Sequence, residues 1–167
     1  MDSFWSKRVK NKSSDFEAAK AYAFLLLKFR LRSAQELRER LKKKKFDGAV
    51  TEKTVTFLQE KKFLDDALFT KAWVQLRLRR QQGLRKIKEE LRIKGIDKEI
   101  VARQLEQVKE NYREEEIAAK LAEERLKALQ GIEPRSARRR VYAYLARRGF
   151  SPGIIADVMN NLCNQTS

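Results

Sequence analysis

Three stretches of the chain can be written above one another: LRERLKKKKFDGAV (37–50), IKEELRIKGIDKEI (87–100) and VYAYLARRGFSPGI (141–154). The second lies 50 residues after the first, and the third a further 54. Apolar residues recur in register: Leu37, Ile87 and Val141; Leu41, Leu91 and Leu145; Phe46, Ile96 and Phe150; Val50, Ile100 and Ile154. The match runs on through Val55, Leu105 and Met159 to Leu58, Val108 and Leu162. A period of this length means one small supersecondary unit used three times, each unit burying its apolar face against its neighbours.

The shared turn identifies the unit. Lys45, Gly95 and Gly149 stand just past a helical stripe, where the backbone often turns left-handed and glycine enters without steric cost. Asp47, Asp97 or Ser151 then caps the following helix, and Pro152 takes a first-turn place that tolerates proline. Lys45 is the odd member. Either its backbone is left-handed at a strain of about 1–2 kcal/mol, or the turn is remodelled with Gly48 taking over.

Each connection has a further helix in front of it. Phe16, Ala19, Ala23, Leu26, Leu27 and Leu31 recur at helical spacing, as do Phe69, Trp73 and Leu76, and Ile117, Leu121 and Leu129. Ser14 with Glu17, and Ser33 with Glu36, have the spacing of capping boxes. No strand-like alternation appears. The expectation is an all-α chain of nine helices in three tandem three-helix, helix-turn-helix-like repeats. These cover 16–66, 67–115 and 116–163, after a basic N-terminal tail (1–15) and before a short C-terminal tail (164–167). The longer third spacing is absorbed by a loop at Gly131–Pro134.

Charge follows the same period. The net charge is +16, and the excess is clustered. Residues 28–45 hold nine Lys or Arg against two acids, 77–94 eight against two, and 135–148 six against none. A basic face repeated every 50 residues or so suits a long, repetitive anionic partner, through contacts that carry affinity without sequence information. The candidate face is Lys42, Lys43, Lys44 and Lys45 in the first repeat and Arg77, Arg79, Arg80, Arg85 and Lys86 in the second. In the third it is Arg138, Arg139, Arg140, Arg147 and Arg148. The aromatics Phe29, Phe46, Phe63, Phe69, Trp73, Tyr142, Tyr144 and Phe150 sit mostly in helical stripes and read as core; Trp5, in the tail, leaves a binding role open.

Catalytic chemistry finds no foothold. The chain has no histidine, the commonest general base and metal ligand, and no glycine-rich phosphate loop. Its single cysteine, Cys163, has no activating neighbour and reads as an inert thiol, in keeping with a reducing cytosol. The adjacent Asp65 and Asp66 read as the cap of a helix or as packing between repeats, not as a metal site. No apolar run approaches a membrane span, and no apolar stretch follows the basic start as in a signal peptide. The chain is expected to be a non-enzyme with no cofactor and no metal, soluble, cytoplasmic and monomeric.

The block KFLDDALFTKAWVQLRLRRQQGLRKIKEELRIKGI (62–96) resembles the RecX family of bacterial recombination regulators. Phe63, Leu64, Asp65, Asp66 and Phe69 match one stretch of its pattern, and Arg77, Gly83, Ile87, Glu90, Leu91, Lys94, Gly95 and Ile96 another. SAQELRERL (33–41) is similar to the family's first-repeat motif. Lys62, Gln81 and Lys45 stand where glycine is usual, and Lys86 where arginine is. The resemblance spans about 15–163 and implies an elongated, curved molecule of three three-helix repeats, with Gly83, Gly95 and Gly149 as structural turn residues. It also implies a partner, the RecA recombinase and its filament on single-stranded DNA. Binding there would limit filament growth, ATP hydrolysis and strand exchange. The alternative is a basic helical repeat protein that binds DNA directly.

Overall fold

The computed structural model describes residues 12–164, and they form nine helices with no strand among them. In order these are α1 (Lys12–Phe29), α2 (Ala34–Lys43), α3 (Gly48–Glu60), α4 (Asp66–Arg79), α5 (Leu84–Ile93), α6 (Lys98–Lys109), α7 (Glu114–Lys127), α8 (Pro134–Arg148) and α9 (Pro152–Asn164). They group as three successive triplets, α1–α3, α4–α6 and α7–α9, the repeat expected from the sequence.

The chain divides into two compact bodies. Among the described residues, one comprises those up to Phe69 together with the turn Lys94–Ile96; the other comprises Thr70–Ile93 and those from Asp97 onward. In the first body α1 and α2 both pack on α3. Ala19 and Ala23 let α1 approach closely, and Leu37, Leu41, Val55 and Leu58 fill the interior with no exposed surface. Each such leucine contributes about 1.5–3 kcal/mol by leaving water. In the second body α7, α8 and α9 pack mutually around Val141, Leu145, Phe150 and Ile155; α5 packs on α6, and Ile87, Leu91, Val101 and Leu105 on these two helices are buried.

The left-handed turn is present in every copy. Lys45 has φ 68°, Gly95 69° and Gly149 93°, and Gly48 simply opens α3. After α2, the Lys45 N–H donates to Lys42 O (2.9 Å) and the Phe46 N–H to Leu41 O (3.2 Å), the paired bonds of a Schellman motif. Lys62 (φ 58°) and Gln81 (φ 53°) are left-handed as well. They close α3 and α4 with the same pair of bonds: Lys62 to Gln59 with Phe63 to Leu58, and Gln81 to Leu78 with Gln82 to Arg77. The three places where this chain lacks the expected glycine therefore keep the glycine conformation. The caps also form. Ser33 accepts from the Glu36 N–H, Asp47 from Ala49, Asp97 from Glu99 and Ser151 from Ile154.

Several expectations need correction. α1 begins at Lys12, inside the stretch assigned to the tail, so Ser14 lies within a helix instead of capping one. Trp5, residues 165–167 and the side chains of Ser14 and Cys163 lie outside the described residues. Leu31 is 44% exposed because α1 ends at Phe29 and its period lapses there. In α4 the buried residues are Phe69, Thr70 and Val74, while Leu76 turns outward. Phe29, Phe63 and Tyr142 are exposed and do not belong to the core. The repeat also has an interior position that the alignment passed over: Thr51, Val101 and Ile155 occupy one slot, and all three are buried. Thr51 places its hydroxyl there with no hydrogen-bond partner among the described residues.

Candidate functional site

An acid from the start of one repeat caps the second helix of the repeat before it. Asp66 accepts from the Ala34 N–H at 2.8 Å, and Glu114 from the Leu84 N–H at 2.9 Å. Burial pushes both carboxyls above the usual range, while the bonds they accept work the other way. Asp65 accepts from Ala67 and Leu68 at the start of α4. Both aspartates are thus bound to helix N-termini, and no group of three or more metal-ligating side chains occurs among the described residues.

In the second body the loop after α4 meets the end of α8. The Gly83 N–H donates to Arg148 O at 3.0 Å. A Cβ on Gly83 would lie 2.3 Å from the Gly149 carbonyl and 2.4 Å from Phe150 N, so only glycine fits this backbone crossing. Tyr112 donates to Gln82 O (3.1 Å) and fixes the loop from below. Burial, and then the nearby Glu114 charge, push the Tyr112 hydroxyl up to about 12.

The crossing frames a pocket of about 610 Å³ lined by Arg79, Arg80, Gln81, Gln82, Lys86, Tyr144, Arg147 and Arg148. Five of the lining residues are cationic and none is acidic. Two cations spend one donor each on a main-chain carbonyl: Arg148 on Arg80 O, and Lys86 on Arg147 O at 3.3 Å. No carboxylate pairs with any of the five among the described residues. The sites at the ends of helices explain part of this charge, since cations there offset the helix dipole. They do not explain five positive groups around one concavity without a counter-charge.

The other residues of the expected basic face fall elsewhere. Arg77 leaves the face. It is held 2.6 Å from Glu90, which also accepts from the Trp73 indole, and it stacks over the Trp73 ring at 4.2 Å. Sequence spacing cannot reveal this, because Arg77 and Glu90 lie on different helices. Arg85 is exposed on α5 outside the pocket, and Arg138, Arg139 and Arg140 form an exposed run on α8. Lys42–Lys45 are exposed at the end of α2, where Lys44 lies 5.8 Å above the Tyr22 ring. Of the basic residues that the sequence singles out, the structure gathers only Arg79, Arg80, Lys86, Arg147 and Arg148. Gln81, Gln82 and Tyr144 complete the lining; the sequence marked Gln81 only as a glycine replacement and Tyr144 only as a core aromatic.

Comparison with known proteins matches this architecture repeat by repeat. Residues 19–58 match the model of the RecX first three-helix domain, 65–105 that of the second and 113–159 that of the third. The regulatory protein RecX of Thermotoga maritima is 35% identical over 164 residues, covering 95% of this chain and 94% of that protein. The regulatory protein RecX of Amycolatopsis mediterranei is 34% identical over 146 residues, covering 86% and 82%. A crystal structure of RecX from Lactobacillus salivarius superposes with a TM-score of 0.75 at 21% identity, covering 90% of this chain and 97% of that one. The fold, the three matched domains and the relatives agree: the chain belongs to the RecX family of regulatory proteins.

Proposed function

We propose that the chain is a non-enzymatic negative regulator of the RecA recombinase, binding RecA and its filament on single-stranded DNA. Binding limits filament growth, ATP hydrolysis and strand exchange. Membership of a family of regulatory proteins supports a regulatory role. The observation that carries the choice of an anionic, repetitive partner is the acid-free basic pocket, with the exposed arginine run Arg138–Arg140 on the same helix, α8. Three repeats can touch successive positions of a filament, and several weak contacts then act at high effective concentration. No described helix is long and apolar enough to cross a membrane, and the reading places the protein in the cytoplasm as a monomer.

The test is inhibition of RecA's single-stranded-DNA-dependent ATPase by the purified chain and by a variant with Arg138, Arg139 and Arg140 changed to Glu. These side chains are exposed and enter no ion pair among the described residues, so the variant should keep its helical circular dichroism while inhibition weakens at least tenfold. Unaltered inhibition removes this run from the binding face. No inhibition by the unmodified chain sinks the proposal. The second reading, direct binding to DNA without RecA, draws on the same pocket; its prediction is equal affinity for naked DNA.

A further inference from the structure

The basic pocket has a counterpart in the first body that shows what is missing from it. Offsets of 50 and 54 relate Arg30 to Arg80, Ser33 to Gly83, Glu36 to Lys86 and Lys94 to Arg148. The contacts follow the offsets. Ser33 Oγ donates to Lys94 O (2.7 Å) as the Gly83 N–H donates to Arg148 O (3.0 Å). The glycine contacts differ by one position: Gly95 lies against Gln35, the counterpart of Arg85, and Gly149 against Lys86.

In the first copy a carboxylate sits at the centre. Glu36 receives Arg30 at 2.9 Å and Lys94 at 2.6 Å, so two cations and one anion close on each other. Burial alone would push the Glu36 carboxyl up; the hydrogen bonds from Arg30 and Lys94 outweigh it and hold the group below its ordinary range. In the second copy the two outer cations are kept as Arg80 and Arg148, but the central acid has become Lys86. Arg79 and Arg147 add two more positive groups. A local charge of +1 (two cations, one acid) in the first triad corresponds to +3 in the second.

Elsewhere the chain neutralises such groups: Arg38 with Glu52, Arg77 with Glu90, Arg113 with Glu116. We propose that the pocket between the ends of α4 and α8 is a phosphate-binding site in which an external anion takes the place that the Glu36 carboxylate fills in the first copy. Its charge calls for adjacent phosphate groups. Five surrounding cations exceed what one carboxylate can neutralise. Planar guanidinium forks match phosphate oxygens in pairs. The site offers little to a base. The Tyr144 ring already carries Arg148 at 5.3 Å and Arg125 at 5.6 Å, so the contacts proposed are to phosphate.

The inference rests on reading this face as anion-binding but not on RecA as the partner, so it is tested without RecA. Fluorescently labelled single-stranded dT20, inorganic tripolyphosphate and poly-glutamate of matched charge are titrated against the full chain and Lys86→Glu. That substitution rebuilds the internal triad of the first copy. Its expected signature is a higher melting temperature together with at least tenfold weaker binding of the phosphate ligands, the logarithmic salt slope for dT20 flattening by about 1. Should Lys86→Glu disturb folding, Lys86→Gln removes one charge without adding another and should weaken binding about threefold to fivefold. Binding of tripolyphosphate but not dT20 assigns the site to a free polyphosphate; binding of both assigns it to a nucleic-acid backbone. Unchanged affinity in both variants overturns the proposal, as does poly-glutamate binding as tightly as either phosphate ligand. Loss of dT20 binding with filament inhibition intact, or the reverse, separates this site from the RecA reading.

Discussion

Replacing Lys45 by glycine should make this protein more stable. Lys45 is exposed and has φ 68°, and the turn's two backbone bonds, from the Lys45 and Phe46 N–H groups, do not depend on its side chain. Holding a residue with a Cβ in that region costs about 1–2 kcal/mol. Glycine relieves the strain but gives back about 0.4–1 kcal/mol, because the unfolded chain gains freedom. The net expectation is about 0.5–1 kcal/mol of stabilisation. Lys62→Gly and Gln81→Gly stand on the same geometry, with φ 58° and 53°. The three turns share no partner, so their effects should add. Together they should contribute about 1.5–3 kcal/mol, and at roughly 2–4 °C per kcal/mol for a chain of this size the triple variant should melt about 3–12 °C higher. Lys44→Gly is the internal control. One residue earlier φ is −79°, where lysine is unstrained, and glycine should destabilise by up to about 1 kcal/mol. Thermal unfolding followed at 222 nm, with urea titration alongside, reads both. Equal losses at Lys44 and Lys45 would refute the reasoning.

Thr51→Val should stabilise by about 1–2 kcal/mol in urea unfolding, because the Thr51 hydroxyl is buried without a partner among the described residues, in a slot that Val101 and Ile155 fill in the other repeats; a loss would show that the hydroxyl is satisfied in solution. Tyr112 is held protonated in the fold, since burial first and the Glu114 charge second raise it to about 12. Its contribution is complete below the unfolded value near 10 and is lost as pH climbs toward 12, so stability should fall across that interval. Absorbance at 295 nm should show a late phenolate step that vanishes in Tyr112→Phe, along with part of the alkaline loss of stability.

Much of the fold is written in the periodic positions. The in-register residues Leu37, Leu41, Ile87, Leu91, Val141 and Leu145 are all buried, because a repeat that must bury the same face three times has little freedom at those places. The turn was legible for the same reason, even at Lys45, where residue type alone left the backbone open. Failures came where period was extended beyond an element, as at Leu31 past the end of α1, or where two neighbouring residues share the inward side, as at Val50 and Thr51. The site was half visible. Clustered charge marked Arg79, Arg80, Lys86, Arg147 and Arg148, but charge counts cannot tell a cation committed to an internal acid from one left open. Arg77 was removed by Glu90, a residue thirteen positions away on another helix. The exchange of Glu36 for Lys86 is plain in the alignment, yet its meaning depends on Lys94 and Arg148, which reach these places only through the fold.

The most direct test of the regulatory reading measures binding of the chain to RecA filaments assembled on single-stranded DNA and to the same DNA without RecA, across a range of salt concentrations. The filament should bind at least tenfold more tightly at about 0.15 M salt, where exposed charges are screened beyond roughly 8 Å, and its salt dependence should differ from that of the naked strand. Equal affinity with the same salt slope would contradict the account and leave a protein that simply binds DNA.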